Sequence, residues 1–260
     1  MHAGGLEVLE KGATTDVHPA PLVFVHGVQH GAWCWDDHFL GYFADHGYRA
    51  VALSLRGHGA SNSCRVGECS IADFVEDVRT VCDQLPTVPV VVGHSMGGYV
   101  VQRYLSSHPA AAAVLLAAVP PSGYAEALRR ADVIRTAMKA AHPQQRLEMA
   151  QYLRALYFHP DTSVSVVDAC LSRLSYEPPV RAMADMTQPL GPSRHRPGLP
   201  VLVMGAADDP CITRSDLRAT AAAYRATAQV ISSMGHDMML EPGWRDVAER
   251  MHVWLGDHCL

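Results

Sequence analysis

Apolar positions along the chain fall into two alternating patterns. Short runs at 22–26 (LVFVH), 50–55 (AVALSL), 88–92 (VPVVV), 113–119 (AVLLAAV), 201–204 (VLVM) and 229–232 (QVIS) are valine-rich, and several are almost wholly apolar. Such runs suit strands buried on both faces of a parallel sheet. Between them, the segments 35–46, 71–85, 96–107, 214–225 and 244–258 repeat apolar residues at helical spacing. Strand followed by helix, repeated, predicts an α/β fold with a mostly parallel central sheet flanked by helices. The segment 6–11 (LEVLEK) alternates apolar and polar residues. It predicts an antiparallel edge strand, paired through the turn-prone stretch before Pro21.

The alternation stops between residues 120 and 200. Segments 126–141, 144–158 and 163–174 read as helices, punctuated by His142-Pro143, His159-Pro160 and Pro178-Pro179. The Pro- and Gly-rich stretch 189–200 (PLGPSRHRPGLP) reads as an exit linker, since it can extend neither a helix nor a strand. The expected organisation is a core of residues 1–119 and 199–260 with a helical cap, 120–198, inserted between two strands. No internal repeat or low-complexity tract is evident.

Composition narrows the possible partners. The 260 residues are 48% hydrophobic, enough for a sizeable core. A formal net charge of -5 with scattered basic residues offers no footprint for nucleic acid or an anionic membrane, and neither partner is expected. Residues 1–11 lack the basic start and apolar centre of a signal peptide, and no apolar run approaches the ~20 residues of a membrane span. A cytoplasmic location is expected. The seven cysteines are irregularly spaced with no CxxC pair, so neither a disulfide framework nor a zinc site is indicated. Cys64 and Cys69 are close enough in sequence for a local bridge, which a reducing compartment disfavours. His26 and His30 lie four apart in a Gly-rich loop with no neighbouring carboxylate or cysteine, and read as structural histidines. No cofactor or metal is implied.

The chemistry concentrates at Gly93-His94-Ser95-Met96-Gly97, a G-x-S-x-G pattern placed directly after one predicted strand and at the start of a predicted helix. In that strand-turn-helix context the serine sits on a sharp, strained elbow with its hydroxyl held above the sheet edge. The helix start favours an anion there, which makes the N–H of Met96 one candidate oxyanion donor. The loop His26-Gly27-Val28-Gln29-His30-Gly31 follows the first long strand, and the N–H of Val28 is the second candidate. A serine needs a base held by a carboxylate, and chain order in such folds is Ser, acid, His. His236, in the loop after the last strand, is the candidate base; His252 and His258 suit surface positions on or beyond the final helix. Asp208 or Asp209, following the strand at 201–204, is the candidate acid. Asp237 stands beside His236 and is poorly placed to reach back to its ring.

The stretches LVFVHGVQHGAWCW, LRGHGAS, VVVGHSMGGYVV, PVLVMGAADDPCIT and SSMGHDMMLEPGW resemble the α/β-hydrolase superfamily over nearly the whole chain, the helical insertion excepted. The resemblance implies a serine hydrolase with a triad of Ser95, Asp209 and His236, with Asp208 as the alternative acid. It also places His26-Gly27 in the oxyanion loop and the insertion in a helical cap. HGAWCW is similar to the plant methylesterase and hydroxynitrile lyase branch. The lyases' threonine after the first histidine of that loop and their lysine after the catalytic histidine are Gly27 and Asp237 here, which favours the esterase. Epoxide hydrolases and haloalkane dehalogenases share the fold but carry an aspartate where Ser95 stands.

The insertion's Met138, Met149, Leu153, Leu156, Tyr157, Phe158, Met183 and Met186, with Met238 and Met239, supply apolar surface, more of it for core than for pocket. No Arg or Lys cluster is evident for a phosphate. The expected substrate is a small hydrophobic ester-like molecule. A thioester, a lactone or a C–C bond could be cleaved with the same triad, and a non-catalytic ligand receptor could keep the fold.

Overall fold

A computed structural model describes residues 4–61, 64–141, 148–191 and 198–260. Its strands are β1 (Val8–Lys11), β2 (Leu22–Val25), β3 (Ala50–Leu53), β4 (Val90–His94), β5 (Ala112–Leu116), β6 (Val201–Ala206) and β7 (Ala228–Ile231). Among the described residues they form one sheet in the order β1-β3-β2-β4-β5-β6-β7. From β3 to β7 neighbouring pairs are parallel, and β1 alone is antiparallel. β2, β3, β4 and β5 are buried at every position, as the all-apolar β2, β3 and β5 and the Val90–Val92 run of β4 require, and β4 ends in the buried Gly93 and His94. Each fully buried valine of β4 contributes about 1.5–3 kcal/mol relative to exposure.

The edge strand differs from the expected pairing. β1 does not join β2 across the turn before Pro21; it pairs with β3, Val8 opposite Leu53 and Lys11 opposite Ala50. Both edges of β2 are already taken by β3 and β4, so the only free edge on that side belongs to β3.

The helices are α1 (Trp33–Asp36), α2 (Phe39–Asp45), α3 (Ile71–Cys82), α4 (Met96–Tyr104), α5 (Ala125–Ala141), α6 (Met149–Tyr157), α7 (Val164–Leu171), α8 (Val180–Met186), α9 (Arg214–Tyr224) and α10 (Trp244–Asp257). The segment expected as one helix at 35–46 is two, because His38 leaves helical geometry at φ -140 and its ring stacks on Trp244 of α10 at 4.5 Å. α3 and α9 start with capping boxes, Ser70 with Asp73 and Thr213 with Asp216. These reciprocal bonds satisfy N–H groups that a helix start leaves unpaired.

Between β5 and β6 the described chain is helical. α6 begins at Met149; the expected start at 144, the His142-Pro143 break and residues 192–197 of the expected linker lie outside the described residues. α8 was not anticipated: Pro178-Pro179 reads as a helix breaker, yet Pro179 serves as the N-cap of the helix that follows. α8 docks on the core where the Ile71 N–H donates to Asp185 Oδ2 at 3.0 Å and Arg181 Nη1 to the Glu68 carbonyl at 3.4 Å. No helix of the described residues is long and apolar enough to cross a membrane.

Candidate active site

The turn from β4 into α4 places Ser95 at φ 53, a left-handed conformation that a non-glycine residue adopts only under constraint. The constraint is visible: Ser95 N–H donates to the Leu116 carbonyl at 3.1 Å, and its own carbonyl accepts from Tyr99 and Val119. Gly97 is required because a Cβ there would run into the backbone carbonyls of Val25 and His26 at the end of β2. This close approach is what seats the elbow over the carboxyl ends of the strands.

Two loops converge on Ser95. Its hydroxyl donates to His236 Nε2 at 2.9 Å, and His236 Nδ1–H donates to Asp209 Oδ2 at 2.7 Å. The other Asp209 oxygen accepts the N–H groups of Cys211 and Ile212 at 2.7 and 2.9 Å, which fixes the carboxylate plane. Asp208 points elsewhere, with a half-exposed carboxylate 3.7 Å from His159 Nε2. Burial opposes charge on the His236 ring, but Asp209, by its charge and its hydrogen bond, outweighs it and raises the pKa above the usual histidine value. Beneath the ring, His94 Nε2–H donates to the His236 carbonyl at 2.9 Å. Burial, reinforced by His236, pushes the His94 pKa down to about 3 and keeps it neutral.

The His236 loop is pinned from below and above. Glu241 Oε1 accepts the N–H groups of Gly235 and His159, and Asp237 N–H donates to the Tyr157 carbonyl at 2.8 Å. The end of α6 and the segment that follows it therefore hold the loop that presents the ring.

The candidate oxyanion donors lie on either side of the serine. Met96 is the first residue of α4, so its N–H has no partner inside the helix. A Cβ on Gly27 would stand 3.1 Å from Ser95 Cβ, so the loop that continues into Val28 runs beside the serine, and Val28 and Ser95 border the same cleft. The segment from Gly27 to His30 is a turn, closed by His30 N–H to the Gly27 carbonyl at 3.4 Å, with Gln29 at φ 68.

Above this array lies a cleft of about 800 Å³, its mouth included. Its walls include Leu128 and Ala131 of α5, Met149, Leu153, Leu156 and Tyr157 of α6, and Met183 of α8. No Arg or Lys lines it among the described residues, as the sequence suggested. Met186, Met238 and Met239 instead fill the core.

One feature was missed. His30 and Asp237 also border the cleft and pair with each other, Nε2 to Oδ2 at 3.0 Å, with Cys170 Sγ 3.8 Å from the same carboxylate oxygen. The sequence offered His30 no carboxylate or cysteine neighbour because its partners lie 207 and 140 residues away. The one available signal was an acidic residue, Asp237, set at the head of the apolar run Met238-Met239-Leu240. Cys64 and Cys69 face each other as free thiols, 2.9 Å between sulfurs.

A sequence model described as the alpha/beta hydrolase family matches residues 22–250. The chain belongs to the alpha/beta hydrolase family. Among curated members it is 40% identical over 105 residues to a non-heme chloroperoxidase of Streptomyces lividans, covering 39% of this chain and 37% of that one. It is 34% identical over 79 residues to Methylesterase 18 of Arabidopsis thaliana, covering 30% of each. The chain thus spans well under half the length of these alpha/beta hydrolase relatives. An esterase from Exiguobacterium antarcticum superimposes with a TM-score of 0.78 over 96% of this chain and 95% of that chain at 16% identity, a likeness of fold.

Proposed function

We propose that this alpha/beta hydrolase cleaves an uncharged carboxylic ester with a small to medium hydrophobic group through an acyl-enzyme on Ser95. The observation that carries the reading is the unbroken hydrogen-bonded line from Ser95 Oγ through His236 to Asp209. In the first step Ser95 Oγ attacks the ester carbonyl carbon while its proton passes to His236 Nε2. The tetrahedral oxyanion accepts from the N–H groups of Val28 and Met96, worth a few kcal/mol each in a water-poor site. As the intermediate collapses, the C–O bond to the alcohol breaks and His236 returns the proton to the leaving oxygen. Water then enters, gives a proton to His236 and attacks the acyl carbon; as this second intermediate collapses, the bond from the acyl carbon to Ser95 Oγ breaks and His236 returns the proton to Ser95 Oγ, releasing the acid. Asp209 holds the His236 tautomer and stabilises the imidazolium throughout.

The segment 120–198 acts as the cap that sizes the substrate, since α5, α6 and α8 form the apolar walls above Ser95. The seven free thiols fit a reducing compartment such as the cytoplasm. Hydrolysis of p-nitrophenyl esters from acetate to decanoate, wild type against Ser95→Ala, tests the proposal. Turnover with a chain-length optimum that vanishes in the variant supports it. No Ser95-dependent turnover across the series overturns it and directs attention to thioesters, lactones, C–C bonds or a receptor role.

A further inference from the structure

His30 and Asp237 take no part in the steps above, yet they border the same cleft. Each ring nitrogen of His30 meets an acceptor: Nδ1 is 2.8 Å from the Val28 carbonyl oxygen and Nε2 is 3.0 Å from Asp237 Oδ2. An imidazole can satisfy two acceptors only when both nitrogens carry hydrogen, as the imidazolium. The two side chains are 2% and 0% exposed, so the charge of each depends on the other.

What the ring holds is unusual. The Val28 carbonyl belongs to the turn in which Gln29, a non-glycine residue, sits at φ 68, so the turn persists only where its surroundings enforce it. Tyr157 O–H donates to Gln29 Oε1 at 2.8 Å and Ser175 N–H to the Gln29 carbonyl at 2.9 Å, which grips one side. His30 grips the other, and its anchor, Asp237, is the residue next to His236.

We propose that the His30–Asp237 pair is a positioning device that holds the strained turn presenting the Val28 N–H and ties it to the loop carrying His236. The inference rests on the ester-hydrolase reading. The groups facing the pair from other elements are neutral. Burial pushes up the thiols of Cys170 on α7 and Cys34 on α1 and the phenol of Tyr157 on α6. Burial likewise pushes His26 down, His58 to about 4 and His94 to about 3. His236 is neutral in the active form. Arg173 lies beyond Trp33, which stacks on His30, and is paired with Asp37.

Burial opposes charge on both members of the pair; their mutual attraction prevails, raising the His30 pKa and lowering that of Asp237. As pH rises through the His30 value, the proton leaves Nε2, because Nδ1–H stays on the Val28 carbonyl. A lone pair then faces the Asp237 carboxylate and the turn loses its anchor. The triad by itself requires only a neutral His236 and has no alkaline limb, so the pair adds one to kcat. In Asp237→Asn the amide can donate to a neutral Nε2, keeping both contacts without the extra proton.

The test is the pH profile of kcat and KM for wild type, Asp237→Ala and Asp237→Asn on the best p-nitrophenyl ester, with ¹⁵N NMR of the His30 ring in the wild type. We expect Asp237→Ala to lower kcat about a hundredfold, the scale of one lost oxyanion donor, with KM within about threefold. We expect Asp237→Asn to recover kcat to within about tenfold and to lack the alkaline limb. Equal losses in both variants, a loss carried by KM, or an alkaline limb retained in Asp237→Asn would overturn the proposal. Should the alanine variant not fold, the asparagine profile decides. The NMR signature is independent of turnover: a His30 ring with an unprotonated nitrogen at neutral pH overturns the proposal, whereas a wild type inert on every ester overturns the ester reading instead. Loss of activity to a chelator, restored by zinc, would also overturn it, because the His30, Cys170 and Asp237 ligand atoms lie within 4.8 Å of one another.

Discussion

Asp209→Asn is a change of one atom whose consequence can be worked out from its neighbours. Asp209 Oδ1 accepts two backbone N–H groups, from Cys211 and Ile212, and Oδ2 accepts from His236 Nδ1. Asparagine has a single acceptor oxygen. Turning its NH2 toward Cys211 and Ile212 would leave two buried donors facing donors, at about 1–3 kcal/mol each. The oxygen therefore stays on the backbone and the NH2 faces His236 Nδ1. That nitrogen must then accept, so the ring proton moves to Nε2 and points at Ser95 Oγ, 2.9 Å away. A nitrogen that already carries hydrogen cannot take the serine proton. The expected loss in kcat is about 10⁴, the scale of a triad forced into the wrong tautomer, or about 5.4 kcal/mol. KM should stay within a few-fold, because the carboxylate faces the ring rather than the cleft. Steady-state hydrolysis of a p-nitrophenyl ester measures both, with circular dichroism to verify folding. A folded Asp209→Asn that keeps more than a tenth of wild-type kcat refutes this reasoning. Asp208→Asn, altering a half-exposed carboxylate away from the ring, should keep at least half.

The acid side of the pH profile follows from His236. Its raised pKa keeps the ring charged to higher pH than free imidazole, so kcat/KM should rise with pH through a midpoint above about 6.5; a midpoint below about 6 contradicts the raised value. The same shift means that the His236–Asp209 pair stabilises the fold fully below about 6.5 and loses that contribution as pH rises through the raised value. Met183→Trp, which fills the cleft from α8, should shorten the preferred acyl chain by about two carbons, since roughly one indole displaces several methylenes; an unchanged optimum means that α8 does not bound the acyl site. Gly97→Ala should destabilise by about 3 kcal/mol or more in urea unfolding, because its Cβ meets the fixed carbonyls of Val25 and His26. Gly41→Ala, on α2 with nothing beyond its own helix backbone and chain neighbours within 4 Å of the new Cβ, should change stability by less than about 1 kcal/mol, and equal effects at the two sites would refute the close-approach argument.

Much of the fold could be read locally. The apolar runs LVFV of β2, VVV of β4 and AAVLL of β5 mark strands covered on both faces, and the spacing of Ile71, Phe74, Val78 and Val81 marks the buried side of α3. Less legible were features settled by competition between elements. The pairing of β1 depended on which edge β3 left open, the division of α1 from α2 on a stacking partner in α10, and α8 on docking against the turn before α3.

The candidate site divides in the same way. Ser95 and Met96 could be put forward as candidates from sequence because a strand-to-helix elbow is a local event: a strand, a strained residue, close glycines and a helix start, all within a few positions. His236 followed from chain order, and the choice between Asp208 and Asp209 was narrowed by resemblance, but only the folded chain shows which carboxylate meets the ring. The His30–Asp237 pair left almost no trace in the sequence. Burial patterns and turn chemistry depend on neighbours along the chain and are written there, whereas a buried charge pair depends on two loops meeting over the same sheet edge. Periodicity and motif thus determined most of the elements and which serine, acids and histidine were candidates for the site. Tertiary packing decided which carboxylate faces the His236 ring and which side chains meet the Val28 turn, because hydrogen bonds act over about 3 Å in space whatever their separation in sequence.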